Sequence, residues 1–146
     1  MISYRMVPGP IHLVRLNTGE DLLEGITNFV TDAGIEAAWL TYLGAVSRAS
    51  LRYYDQGERV YRDFEVDEHL EVVSGVGNVS LLDEVPFVHT HSAFADSNGR
   101  TVGGHLNSGT TVWALEVRIQ ELLGPAPVRK LDDCTSLSLW GGTLSD

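Results

Sequence analysis

The sequence predicts an α+β domain, a mostly antiparallel sheet of about seven strands set against one main amphipathic helix. Three observations carry this. Leu22, Leu23, Ile26, Phe29, Val30 and Ala33 recur with helical spacing, so they fall on one stripe of a 3.6-residue period. Most of the remaining chain is divided into short aliphatic and aromatic runs by turn-forming residues, as strands joined by hairpins should be. The length of 146 residues and the 43% apolar content suit one folded domain with a sizeable core.

The elements follow in order. Ile11 to Leu16 lies between Pro8-Gly9-Pro10 and Asn17-Thr18-Gly19 and reads as a strand ending in a turn. The helix comes next, with Thr18 as the expected cap, Glu20 and Asp21 at its positive end, and Gly34 as its stop. Ala37 to Leu43 and Ala45 to Tyr54 read as two strand segments with a bend at Gly44. Gln56-Gly57 forms a turn into Arg59 to Val66, whose alternation suits a strand with one wet face. Leu70 to Leu82 is interrupted by Gly75 and Gly77, and Pro86 introduces a strand from Val88 to Ala93. Asn98-Gly99 is a two-residue turn signal between the segments holding His89 and His105. Thr111 to Leu122 is a strand with Thr111, Trp113, Leu115, Val117 and Ile119 expected on one face. Gly124-Pro125-Ala126-Pro127 is expected to end the sheet, leaving a tail whose Leu137, Leu139 and Trp140 dock elsewhere.

Charge narrows the function. Twenty Asp and Glu against ten Lys and Arg give a net charge of -10. The cations are scattered and no basic stripe is visible, so duplex DNA is not an expected partner. Asp55, Glu58, Asp63, Glu65, Asp67, Glu68 and Glu71 form an acidic cluster expected on a solvated face. Cys134, the single cysteine, cannot make an intrachain disulfide and is expected to be packed. The first ten residues lack the pattern of a secretory signal, and no apolar run reaches the length of a membrane helix. Cytoplasm is the expected compartment.

One constellation carries chemistry. His89 and His91 are two apart on a predicted strand, so both rings leave the same face, with Val88, Thr90 and Ser92 on the other. The Asn98-Gly99 turn folds His105 back towards them. Three neutral imidazoles suit a divalent metal, with zinc the natural match, and leave a further position for water or a small anion. The alternative for such residues is hydrogen bonding within the sheet, with Gly103 and Gly104 allowing close backbone approach. His12 and His69 have no partner at ligand spacing. Glu116 is the candidate acid, as a partner of a ligand histidine or of bound water, against the plain reading of a solvent-facing strand residue.

Taken in order, the helix from Gly19 to Gly34, Leu43-Gly44-Ala45-Val46, the segment Glu71 to Ser80, Val88-His89-Thr90-His91 and Gly103-Gly104-His105-Leu106 resemble the plant and prokaryote conserved domain. The resemblance covers about residues 10–123 of a domain taken as 8–146, and Glu71 to Ser80 carries a shift relative to a plain strand. It implies a homotrimer and a seven-stranded α+β fold. Prokaryotic members are commonly labelled DNA-binding through plant relatives that carry AT-hooks, and no Arg-Gly-Arg-Pro peptide occurs here. His89, His91, Asp96 and Gly103 also approach the first metal motif of cupins. Asp83 replaces the glycine of that pattern, however, and the proline-glycine element before His105 is missing.

Three functions are therefore set side by side. The first is a three-histidine metal centre serving a small anionic ligand or metal-dependent chemistry. The second is a DNA-associated regulator, and the third is an assembly module that a metal stabilises.

Overall fold

In the computed structural model, which describes residues 1–142, the helical stripe does what its spacing requires. Helix α1 (Leu22–Asp32) buries Leu22, Ile26 and Val30 against the sheet. Its cap is Asp21, whose carboxylate accepts from the Glu24 amide at 2.9 Å. Thr18 is not the cap, because its hydroxyl donates to the Trp113 carbonyl and ties the preceding turn to another strand. Gly34 stops the helix in the left-handed conformation, at φ 67°.

Among the described residues the remaining elements are nine strands: β1 (Val7–Leu16), β2 (Ala38–Asp55), β3 (Val60–Val66), β4 (Leu70–Leu82), β5 (Val85–Ala95), β6 (Thr101–Leu106), β7 (Thr111–Leu123), β8 (Val128–Asp132) and β9 (Leu137–Gly142). They form one sheet ordered β1-β7-β2-β6-β5-β4-β8-β9, with β3 paired to β2. Strand β2 belongs to two neighbourhoods. Its first half, Ala38 to Val46, lies between β7 and β4, and its second half pairs with β3 and β6. The β2–β4 and β2–β6 pairings close β2, β4, β5 and β6 into a ring, so the sheet curls as a small barrel does. Phe94, Leu40, Leu51, Leu106, Leu115 and Ile119 fill the interior.

The bend at Gly44 is a bulge within one continuous strand rather than a break between two. Gly44 has φ 140°, and a Cβ there would lie 2.1 Å from the Ala114 carbonyl oxygen. Opposite it, the β2–β7 register slips between Ala45 and Val46. The slip leaves Trp113 as an extra residue between Val112 and Ala114, so its ring turns out to solvent instead of sharing the buried face of Leu115. A bulge reverses side-chain alternation in this way. The shift in Glu71 to Ser80 is a second slip, between Val72 and Ser74. Gly75 and Gly77 do not interrupt β4.

The sheet has nine strands rather than seven because the chain after the Gly-Pro segment rejoins it. The Leu81 amide donates to the Pro127 carbonyl at 2.9 Å, Val128 pairs with Leu81 in parallel, and β8 and β9 form a hairpin. The β8–β9 turn is held by Asp132, whose carboxylate accepts from the Thr135 amide and hydroxyl. Cys134 sits in this turn and is exposed, not packed. Trp140 meets the Tyr4 ring edge-on. Among the described residues no helix is long and apolar enough to cross a membrane.

Candidate metal centre

The site is built on the β5–β6 hairpin. Asp96 accepts from the amides of Asn98 and Arg100 through one carboxylate oxygen, and Gly99 takes φ 75°. Asp96 thus closes the turn and does not face the histidines as a ligand. The register that follows puts His91 directly opposite His105, and His105 opposite Arg52 of β2. Gly103 and Gly104 let these strands approach: a Cβ on Gly103 would meet the Ser92 carbonyl at 2.7 Å, and one on Gly104 the Arg52 carbonyl at 2.9 Å. Beneath the hairpin Thr90 and Ser92 are buried, and both hydroxyls hydrogen-bond to the Tyr42 hydroxyl.

On the outer face His89, His91 and His105 come together. One ring nitrogen from each lies within 4.8 Å of the others, and the Nε2 atoms of His89 and His91 are 3.3 Å apart. His91 is exposed, whereas His89 and His105 are half-buried. Burial, first, and the neighbouring histidine, second, lower both His89 and His105 from 6.5 to about 4. Both rings are then neutral at physiological pH, the state in which imidazole donates a lone pair to a metal.

Those shifts carry a stability consequence. Between about 4 and 6.5 the unfolded chain takes up protons at these two positions that the folded chain refuses. The stability of the metal-free protein is therefore complete above 6.5 and falls as pH drops towards 4. Melting curves of the metal-free protein across this range should show a steeper loss for the wild type than for a His89→Gln/His105→Gln double variant. Identical profiles would refute the account.

Sequence reasoning missed Arg129. It comes from β8, is only 8% exposed, and its guanidinium reaches the wall of the site. Nε donates to Ser80 Oγ, Nη1 to the Ser138 carbonyl, and Nη2 to Asn78 Oδ1 and to His89 Nδ1 at 3.2 Å. The last bond leaves Nε2 as the His89 nitrogen facing the other rings. Phe87 packs its ring 5.1 Å from the guanidinium carbon. Arg52 stands on the opposite side, paired with Asp63 at 3.1 Å and lying 5.0 Å from the centre of the Tyr61 ring. Tyr61 in turn packs against His105. Together these residues line a cavity of about 730 Å³ that contains the three histidines, and among the described residues no Asp or Glu lines it.

The other candidates lie elsewhere. Glu116 is on β7, opposite Leu43 of β2 and Arg15 of β1 and three strands from β5, in a groove with Leu13 and Arg118. The β2–β7 register decides this, so Glu116 keeps the solvent-facing role. His12 packs on Phe29 near Glu121, and His69 stacks on Trp113.

The profile of the Plants and Prokaryotes Conserved (PCC) domain matches residues 5–123. The chain belongs to this family. A metal-containing protein of Archaeoglobus fulgidus superposes on this PCC domain with TM-score 0.93 at 40% identity, covering 97% of this chain and 100% of that one. A plant- and prokaryote-conserved protein of Pyrococcus horikoshii gives 0.91 at 33% identity, over 97% and 98% of the two chains. A Bacteroides thetaiotaomicron protein described provisionally as DNA-binding shares the fold, with TM-score 0.84, at 20% identity over 93% and 96% of the chains. Among curated proteins, a bifunctional GlmU of Synechococcus sp. (strain JA-3-3Ab) is 36% identical over 104 residues. That match covers 70% of this chain and only 16% of the length of the GlmU protein.

Proposed function

We propose that this PCC domain holds one divalent metal, zinc by its donor set, through His89, His91 and His105 and presents the open side of the metal to the adjoining cavity as a binding site for a small anion. The convergence of three imidazole nitrogens within 4.8 Å carries the reading. Their chemistry fits, because three neutral nitrogen donors make a zinc site with a coordination position to spare. The metal-containing nature of the Archaeoglobus fulgidus protein supports it. Zinc on three neutral ligands keeps its full double charge and attracts hydroxide, carboxylate or phosphate, and a bound water would be acidified towards neutral pH. His89 Nε2 can serve as a ligand only when its ring hydrogen resides on Nδ1. The Arg129 Nη2 that now donates to Nδ1 then needs another acceptor. Elemental analysis after zinc loading and extensive dialysis tests the reading. One zinc per chain is expected, and none would overturn it.

The DNA-associated reading draws on descriptions of relatives such as the Bacteroides protein. Against it stand the net charge of -10 and the placement of the cations. Of the ten cations, Arg48, Arg52 and Arg62 are paired with Glu65, Asp63, Asp55 and Glu58, and the others are scattered along the chain instead of forming the basic stripe that follows a phosphate backbone. Fluorescence anisotropy with duplex DNA at about 150 mM salt should show no sub-micromolar binding; such binding would restore the DNA reading.

The assembly reading has its own observation. Leu13, Trp39, Leu43 and Val76 are exposed on the sheet face opposite the helix, with Leu13 82% exposed. An apolar face of this kind suits self-association, and the trimer implied by the family fits it. Light scattering behind size exclusion is expected to give three times 16.0 kDa, whereas a monomer at micromolar concentration would remove the trimer. The proposed compartment is the cytoplasm.

A further inference from the structure

The charge balance of the cavity is the reverse of the charge balance of the protein. In a chain carrying -10, the wall around the histidines holds two guanidinium groups and, among the described residues, no carboxylate. Arg129 is the more demanding of the two. A cation this deeply buried normally has an anionic partner, because its desolvation is otherwise uncompensated. Every acceptor around Arg129 is neutral: Ser80, Asn78, the Ser138 carbonyl and His89. Burial pulls its pKa below the ordinary value, and the opposing influence is the Tyr61 hydroxyl rather than an acid. Of the five guanidinium hydrogens, the second on Nη1 has no acceptor among the described residues. Across the cavity, Arg52 Nε is also buried without an acceptor.

The rest of the lining describes the body of the ligand. Tyr61, Phe87, Leu82 and Leu139 give the wall an aromatic and aliphatic surface, and Tyr61 and Phe87 each lie beneath one of the two guanidinium groups. A fully hydrated inorganic ion has no use for such a wall, whereas an organic acid does.

We propose that the ligand of this cavity is a small organic carboxylate, its anionic group received by Arg129 beside the histidines and its apolar body laid against Tyr61 and Phe87. Arg52, whose Nη2 is already held by Asp63, adds a second guanidinium to the wall. The proposal rests on reading the cavity as a ligand site and goes further in naming the chemical class that occupies it. With its other donors held by Ser80, Ser138, Asn78 and His89, Arg129 offers a carboxylate the remaining Nη1 hydrogen, and a charge-assisted bond of this kind is stronger than a neutral one.

Calorimetric titration with benzoate, against benzamide as a neutral body of the same shape, tests this on zinc-loaded and on chelator-treated protein. Benzoate is expected to saturate the zinc-loaded wild type, with benzamide weaker by about tenfold or more, the scale of a charged hydrogen bond. Arg129→Gln should weaken benzoate to a similar extent when the variant and the wild type are compared at equal zinc occupancy. Because Arg129 also braces β8, the benzoate-to-benzamide ratio in the wild type provides a readout that does not depend on the variant folding. Equal binding of the two compounds by zinc-loaded wild type, or undiminished benzoate affinity in a folded Arg129→Gln protein that retains its zinc, would overturn the proposal and leave the metal centre standing. Arg129-dependent benzoate binding by a wild type that retains no zinc would uphold the proposal and remove the metal centre.

Discussion

Replacing His91 by alanine is expected to strip the protein of stoichiometric metal. Two imidazoles, from His89 and His105, remain in that variant, and a pair holds zinc far more weakly than a set of three. Loss of an outer partner of a ligand alone costs about 10–100-fold in affinity, so removing a ligand should cost on the order of 100-fold or more. The fold should survive, because the His91 ring is exposed and its neighbours Thr90 and Ser92 carry the contacts to the interior. His12→Ala and His69→Ala are the controls. Their rings pack on Phe29 and Trp113, and both variants should keep one metal per chain. Stoichiometric zinc in dialysed His91→Ala would refute the ligand assignment.

Phe94→Ala is expected to be the most destabilising truncation on the strand that carries the site. Phe94 is fully buried and is the largest of the completely enclosed side chains. It lies on the inner face of β5, opposite Val72 of β4 and Val102 of β6. Phe→Ala changes in well-packed cores cost about 3–5 kcal/mol, and a closed ring of strands leaves little freedom for collapse into the void. Urea denaturation of the variant against the wild type measures the loss. A cost below about 1 kcal/mol, typical of sites outside the core, would mean that the ring is not packed around Phe94 as described.

The parts of the molecule legible in the sequence are those whose information is local. The stripe Leu22, Ile26 and Val30 identified the helix because three turns of one face repeat a single preference. His89 and His91 could be placed on one face, and His105 beside them, because Asn98-Gly99 specifies a tight turn within a few residues; the part Asp96 plays in closing that turn came only with the structure. What could not be read depended on distant partners. Trp113 looked like a core residue until the β2–β7 register made it the extra residue of a bulge. Glu116 had the right chemistry for the site, but strand order places it three strands away. Arg129 belongs to a segment that looked like a tail. Its importance comes from the parallel contact of Val128 with Leu81, which carries the guanidinium to His89. The nearest signal was an arginine in Val128-Arg129-Lys130-Leu131, a mixed segment that resembles ordinary surface sequence.

The position of β1 matters most while the chain is being made. Its partner is β7, and Leu16 pairs with Leu115, so during synthesis β1 leaves the ribosome long before the strand it needs. Until then both of its edges are open, and among the described residues one of them stays unpaired in the finished sheet because β1 ends the strand order. An unpaired edge is a template on which another chain can add. Pro8 and Pro10 remove two backbone donors from the start of this strand, and the register slips between Pro8 and Ile11. A neighbouring nascent chain therefore meets an interrupted row of hydrogen bonds. Strand β1 is thus protected by its own residues against joining the wrong molecule during the interval before β7 exists.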